Sequence, residues 1–156
     1  MIRPCTQRYI RVVVTKAHRA GEKVVFTNGV FDLLHRGHVD YLTKAKSFGD
    51  LLIVGLNSDA SVHRLKGPKR PIQSQADRAA ILLALKAVDY VVLFSEDTPE
   101  KLISIVRPDI LVKGADYKMG EIVGAKLVRS YGGKVKRVRL TSGRSTTKII
   151  HTLGAG

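Results

Sequence analysis

Two histidines, His35 and His38, stand three residues apart in FTNGVFDLLHRGH (26–38), with Gly37 between them. An apolar run ends just before them at Thr27-Asn28-Gly29. Metal capture is the first chemistry to weigh. Zinc takes three or four ligands, and His18, His63 and His151 show no companion spacing, while the sole cysteine, Cys5, lies far back. No metal site is expected. Phosphate chemistry is the second. Gly29 lets backbone amides approach a phosphate closely, and Gly37 opens a helix whose N-terminus offers free N–H groups and a partial positive charge. His35 and His38 then become donors aimed at one place, which suits stabilising charge in a phosphoryl or nucleotidyl transfer. Structural histidines satisfied by packing remain the third reading, and the rest of the chain must choose.

Other stretches carry compatible groups. KGPKRP (66–71) brings cations, Lys66 and Arg70 among them, into a loop with two prolines and a glycine. RSTTK (144–148) opens a helix with hydroxyls and free N–H groups, an anion site at Ser145, Thr146 and Thr147. Ser145 alternatively serves only as an N-cap, and Thr147, one turn in, fits a phosphate role less directly. Lys44 and Lys46 lie on the first helix after the histidines; Lys46 is the preferred phosphate candidate, against a solvated-surface reading. Asp59 is open to two readings, helix N-cap or acceptor from a sugar hydroxyl. Asp32 is read as fixing its loop by accepting backbone hydrogen bonds. No Ser-His-Asp or Cys-His nucleophile arrangement is evident.

These groups need elements to hold them. Residues 6–20 read as a basic helix. Apolar runs at 23–27, 51–57, 90–94, 109–114 and 134–140 read as strands, the last nearer an edge. Helices are expected at 37–48, at 74–86 with Ser74 as N-cap and Ala80, Leu83 and Ala84 inward, at 98–106 with Thr98 as cap, at about 120–131, and from near Ser145. Residues 60–65 hold one or two turns. This alternation predicts an α/β, Rossmann-like doubly wound sheet of about five parallel strands with helices on both faces. Such sheets bind ligands beyond the carboxyl ends of their strands. TNGVFDLLHRGH, NSD, FSEDT, KGADY and TSGRSTTK each follow a strand. That coincidence favours the phosphate reading.

The chain has 156 residues, 44% of them hydrophobic and 26% charged, the profile of a globular domain with a real core. The organisation expected is a basic N-terminal helix or extension at 1–20 and a single domain at 21–156. With 27 Lys and Arg against 13 Asp and Glu, the net charge of +14 attracts anions. The cations are dispersed, with no run of five or more that would mark a nucleic-acid tail. One cysteine excludes an internal disulfide and fits a reducing compartment. No apolar run reaches the ~20 residues that span a bilayer, and no signal peptide is legible. The expected location is cytoplasmic, with no membrane partner.

NGVFDLLHRGH resembles the signature of the cytidylyltransferase-like nucleotidyltransferases: a glycine, Phe-Asp and two histidines at fixed offsets. The resemblance extends over about residues 22–152, through Lys66-Gly67, Arg70-Pro71, Arg78, LVKGADY and STTKII. Within that family, LNSDASV, RLKG, EDTPEKLI, RPDILVKGADY and RSTTKII are most similar to the bacterial enzymes acting on D-glycero-β-D-manno-heptose 1-phosphate. The resemblance implies adenylyl transfer from ATP to that sugar phosphate, giving ADP-heptose and pyrophosphate for the lipopolysaccharide inner core. It implies a free-standing form, without a sugar-kinase domain. It implies that His35 and His38 contact the triphosphate, and that Thr27, Asn28, Gly29 and Phe31 line the nucleotide pocket. Lys113, Gly114, Asp116 and Tyr117 lie near base and ribose, and Arg78 grips a phosphate. Mg²⁺ is expected on the triphosphate without a named protein ligand, and the assembly is expected to be a homodimer. Val30, where relatives often carry cysteine, and Arg144, where a small or apolar residue is common, depart from the pattern.

Two alternatives are carried. Glycerol 3-phosphate cytidylyltransferase and an FAD-synthetase-like adenylyltransferase share the histidine motif and differ in acceptor. A basic nucleic-acid-binding domain explains the charge, but not the motifs after successive strands. It also lacks an aromatic stacking set, with four Phe, five Tyr and no Trp.

Overall fold

A computed structural model describes residues 4–154. Helix α1 (Gln7–Arg19) starts where Thr6 accepts the Tyr9 N–H at 3.1 Å. It buries Ile10, Val14 and Ala17, spaced four and three apart on one face. Strand β1 (Val24–Gly29) follows, buried over its first four residues. Next come α2 (Arg36–Lys46), β2 (Leu51–Asn57), α3 (Asp59–Lys66) and α4 (Gln75–Leu83). Then come β3 (Tyr90–Phe94), α5 (Glu100–Val106), β4 (Ile110–Gly114), a 3₁₀ turn (Met119–Glu121), α6 (Ala125–Ser130), β5 (Lys134–Val138) and α7 (Thr146–Gly154). Gly49 turns the chain from α2 into β2. A Cβ there would lie 2.7 Å from the Lys23 carbonyl oxygen, so only glycine fits.

The five strands form one parallel sheet in the order β3-β2-β1-β4-β5. The chain winds outward from β1 to β3, then crosses to β4 and winds the other way. The order therefore reverses between β1 and β4, and the loops leaving their carboxyl ends diverge there and open a crevice. On one face α1, α5 and α6 cover Phe26, Ile53, Val92 and Leu111. On the other, α2 and α4 cover Val25, Leu52, Val54 and Val112. Each fully buried side chain of this kind contributes roughly 1.5–3 kcal/mol by leaving water. Helix α1 is part of the first layer, packing on α5 and the sheet. Ahead of it, the Cys5 N–H bonds the Val91 carbonyl at 2.7 Å, and Cys5 bridges Val92 on the outer edge of β3.

The expected doubly wound fold is what the chain adopts, with differences in detail. Helix α4 buries Arg78, Ala79 and Leu82; of the residues expected inward, Leu83 packs half-buried against the core, while Ala80 and Ala84 are exposed. The inner face is set instead by Arg78, which is fully buried. Helix α5 begins after Pro99, with no side-chain cap from Thr98. The helix expected from residue 120 begins only at Ala125, because Gly124 adopts φ of 86° and closes the preceding turn.

Candidate active site

A cavity of about 630 Å³ opens where β1 and β4 diverge. Its floor is the loop from β1 into α2. Two residues of that loop, Phe31 and Leu33, hold left-handed backbone with φ of 47° and 49°, a conformation that bulky residues avoid unless the surroundings impose it. Asp32 between them supplies the restraint. Its buried carboxylate accepts from Ile72 N–H at 2.8 Å, Gln73 N–H at 3.0 Å and Arg70 Nε at 2.8 Å. Its carbonyl accepts from Thr146 Oγ1 at 2.7 Å. Burial pushes this carboxyl's pKa up, but the two backbone donors and Arg70 outweigh it and hold the group below the usual carboxylate value. One residue thus ties the 70–73 loop and the start of α7 to the loop carrying the histidines. The sequence reading of Asp32 as a loop fixer matches this geometry.

His35 caps α2, its Nδ1 accepting the Gly37 N–H at 3.1 Å. His38, one turn in, accepts the His35 N–H on its own Nδ1 at 3.3 Å. A ring nitrogen that accepts carries no proton, so each neutral imidazole bears its proton on Nε2. The rings stack with centroids 3.9 Å apart, and the Phe31 edge meets His38 at 5.4 Å. Burial, then the neighbouring His35, pushes the His38 pKa down to about 4. Burial, then Arg144, lowers that of His35. At neutral pH the pair therefore consists of two uncharged donors at a helix N-terminus, both on the cavity wall. Gly37 is required beside them, because a Cβ would come within 2.9 Å of the His35 ring.

The remaining candidates divide. Asn28, Gly29, Phe31, Lys66, Arg70, Lys113, Gly114, Asp116 and Tyr117 meet at this cavity, as do Ser145, Thr146 and Thr147. Ser145 also caps α7 through the Lys148 N–H at 3.1 Å. Lys113 hydrogen-bonds Asn28, and burial brings its pKa down to about 8, with Asp116 pulling the other way. Thr27 is buried beneath the wall, does not line the cavity, and bonds the hydroxyl of the wall residue Tyr41 at 2.9 Å.

Three expected residues are elsewhere or otherwise engaged. Lys46 ends α2, about 15 Å along the helix from its start, with its ammonium on Asp89 and the Asp50 carbonyl. It ties α2 to the opposite end of the sheet and is not on the cavity wall. Arg78 is fully enclosed and does not reach the cavity. Its N–H groups go to the carbonyls of Gln73, Val30 and Asn57 and to Asp59 at 2.7 Å. It is a clamp between β1, β2 and α4, not a phosphate grip. Asp59 is its partner; the N-cap of α3 is Ser58. The wall also includes Arg144, which the sequence marks as a departure from the family pattern, and residues absent from the sequence reading as site residues, Tyr41, Asn57, Phe94, Asp97 and Pro99. Their one legible signal was position, since Asn57, Phe94, Asp97 and Pro99 end or follow β2 and β3. Among the described residues no three His, Cys, Asp or Glu side chains gather as a metal site, and no helix is long and apolar enough to cross a membrane.

Comparison with known proteins adds to this geometry. The profile of the family described as Cytidylyltransferase-like matches residues 26–152. The chain is 59% identical over 144 residues to the Bifunctional protein HldE of Syntrophotalea carbinolica, covering 92% of this chain and 29% of that protein. It is 57% identical over 141 residues to the Bifunctional protein HldE of Geobacter sulfurreducens, covering 90% and 29%. The chain thus spans under a third of the length of these relatives. Among solved structures, the lipopolysaccharide core biosynthesis protein from Thermoplasma volcanium superposes with a TM-score of 0.62 at 36% identity, covering 78% of this chain and 98% of that one. A pantoate-beta-alanine ligase from Francisella tularensis superposes with a TM-score of 0.65 at 19% identity, covering 94% and 69%, and speaks for the fold alone.

Proposed function

The chain belongs to the cytidylyltransferase-like family, and on that premise we propose that it transfers AMP from ATP to D-glycero-β-D-manno-heptose 1-phosphate. The products are ADP-heptose and pyrophosphate, the sugar nucleotide serving lipopolysaccharide inner-core synthesis. The observation that carries the reading is the pair of neutral imidazoles presenting Nε2–H groups from the N-terminus of α2. The similarity to HldE proteins and to a lipopolysaccharide core biosynthesis protein supports the acceptor.

An oxygen of the sugar phosphate attacks the α-phosphorus of ATP. The bond from that phosphorus to the oxygen bridging the β-phosphorus breaks, and pyrophosphate leaves with the electron pair. The nucleophile is already ionised at neutral pH, so no general base is needed. His35 and His38 donate to triphosphate oxygens as charge builds on them. The N-terminus of α7, with Ser145 and Thr147, offers a second set of donors across the cavity. Lys66 and Arg70 bring cations from the 66–71 loop. Asp116 and Tyr117 take the ribose and base. Mg²⁺ bound to the triphosphate oxygens would neutralise charge there. The reaction is assigned to the cytoplasm, where ATP is supplied, and the working assembly to a homodimer, which sedimentation tests.

Pyrophosphate release tests the reading. ATP and CTP are each paired with heptose 1-phosphate, glycerol 3-phosphate and FMN, with Mg²⁺. Release with ATP and the heptose phosphate alone is expected. Release with CTP and glycerol phosphate, or with ATP and FMN, moves the acceptor and keeps the chemistry. Silence in every pair overturns nucleotidyl transfer.

A further inference from the structure

The least exposed cations at the carboxyl end of this sheet are Arg78, Arg70 and Lys113, whereas Lys66 and Arg144 on the cavity wall face solvent. Arg78 has Asp59 and three carbonyls. Arg70 has the buried carboxylate of Asp32. Lys113 is 8% exposed, yet no carboxylate lies within ion-pairing distance of it among the described residues, and its one hydrogen-bond partner is the side-chain oxygen of Asn28. An ammonium has three N–H donors, so two are unused. The residue lies on the cavity wall, and the Tyr117 ring stands 5.7 Å from Nζ. Asp116 offsets part of its charge from beyond contact, and a buried cation with no carboxylate in contact is costly to the fold. Such a group persists where a ligand supplies the missing charge.

We propose that Lys113 is a phosphate-docking residue, its two unused N–H groups taking a phosphoryl oxygen at the point where β1 and β4 part. This rests on the nucleotidyl-transfer reading above and names a contact within it. The phosphate has two sources, the α-phosphate of ATP or the monoester of the acceptor. Asn28 is then the positioning residue that holds the ammonium in register at the end of β1. Desolvation has already weakened the hold of Lys113 on its proton, and an arriving dianion restores it. Docking therefore falls off as pH rises past about 8.

Lys113→Met and Lys113→Arg in the full chain test this. A structural lysine loses stability on truncation to methionine. A docking lysine does not, because the substitution removes an unpaired buried charge. Expected for Lys113→Met is an unfolding midpoint at or above that of the parent, with kcat/KM lower by at least 30-fold. A rise in KM for the sugar phosphate alone assigns the acceptor's phosphate; a fall in kcat with both KM values held assigns the α-phosphate. The alkaline limb of the parent's pH profile vanishes in Lys113→Met and shifts upward in Lys113→Arg. Calorimetric titration with AMP and with inorganic phosphate reads docking without turnover, and one of the two binds the parent at least tenfold more tightly than Lys113→Met. Equal binding of both probes by both proteins overturns the proposal, even if turnover and the function above also fail. So does loss of activity that merely tracks loss of stability.

Discussion

Asp32→Asn is the most demanding test of how the site is held. The change is isosteric and removes one charge. In the parent, two backbone N–H groups and the Arg70 guanidinium converge on the carboxylate, which has no exposed surface. Asparagine keeps one carbonyl oxygen and turns an amide N–H₂ toward at least one of those donors. Breaking one partner of a buried, hydrogen-bonded ion pair costs about 3–5 kcal/mol. For a chain of this size each kcal/mol lowers Tm by roughly 2–4 °C, so a drop of about 12 °C is expected, within the stability of an ordinary domain. The loss should also reach activity, because Lys66 and Arg70 hang on the loop that Asp32 holds, and the strained Phe31 and Leu33 lose their restraint. A fall in kcat/KM of about tenfold or more follows. The pH dependence has a definite sign. The folded-state pKa of Asp32 lies below its unfolded value of 3.8, so its contribution is complete above that value and is lost as pH falls through the folded value. The gap between parent and variant should be constant from pH 8 to 5 and close in stronger acid. Urea unfolding at several pH values and two-substrate kinetics measure both effects. A variant within 1 kcal/mol of the parent at pH 7, with unchanged kinetics, refutes this account of the site's scaffold.

Arg78→Met should destabilise by about 3–5 kcal/mol, as carbonyls of three segments and Asp59 lose their donor; an unfolding midpoint near the parent's would return Arg78 to the list of ligand-binding residues. Lys46→Ala should leave kcat and both KM values within twofold of the parent while costing about 1 kcal/mol of stability, since the Lys46–Asp89 pair is only partly buried; a large kinetic loss would restore its catalytic assignment. His38→Ala should cost about 10²–10³ in kcat as a preorganised donor is removed, and near-parental turnover would remove His38 from the chemistry. Because the His38 pKa is about 4 folded against 6.5 unfolded, the unfolded chain takes up the proton first, and stability drains as pH falls from 6.5 to 4. After allowance for partial exposure this amounts to about 1–2 kcal/mol. Acid titration of stability should flatten over that window in His38→Ala.

The strands and the histidine loop were legible because their signals are local. β2 and β3 have the bounds that their apolar runs suggest, and glycines mark the turns. What escaped depends on partners distant in sequence. Arg78 reads as a surface cation until its acceptors at 30, 57, 59 and 73 are brought together by the fold. Lys46 reads as a phosphate ligand until Asp89, forty-three residues away, claims it. Tyr41 reads as one more residue on the buried face of α2, although its hydroxyl, held by Thr27, lines the cavity. Lys113 was visible as a strand-end residue, but its burial with no carboxylate in contact is a property of three dimensions only.

The two rims of the sheet are closed by different means. On the β3 side the chain lays its own backbone against the strand, through the bond from Cys5 to the Val91 carbonyl. On the β5 side the strand carries Lys134, Lys136 and Arg137 within five residues. An open strand edge is a template for another copy's backbone, and coverage or positive charge discourages such growth. The consequence concerns handling as much as folding. Trimming the chain up to α1 would bare a mostly apolar strand, and such a shortened protein should precipitate on concentration. High salt, which screens the lysines and arginine, should make the opposite rim the adhesive one.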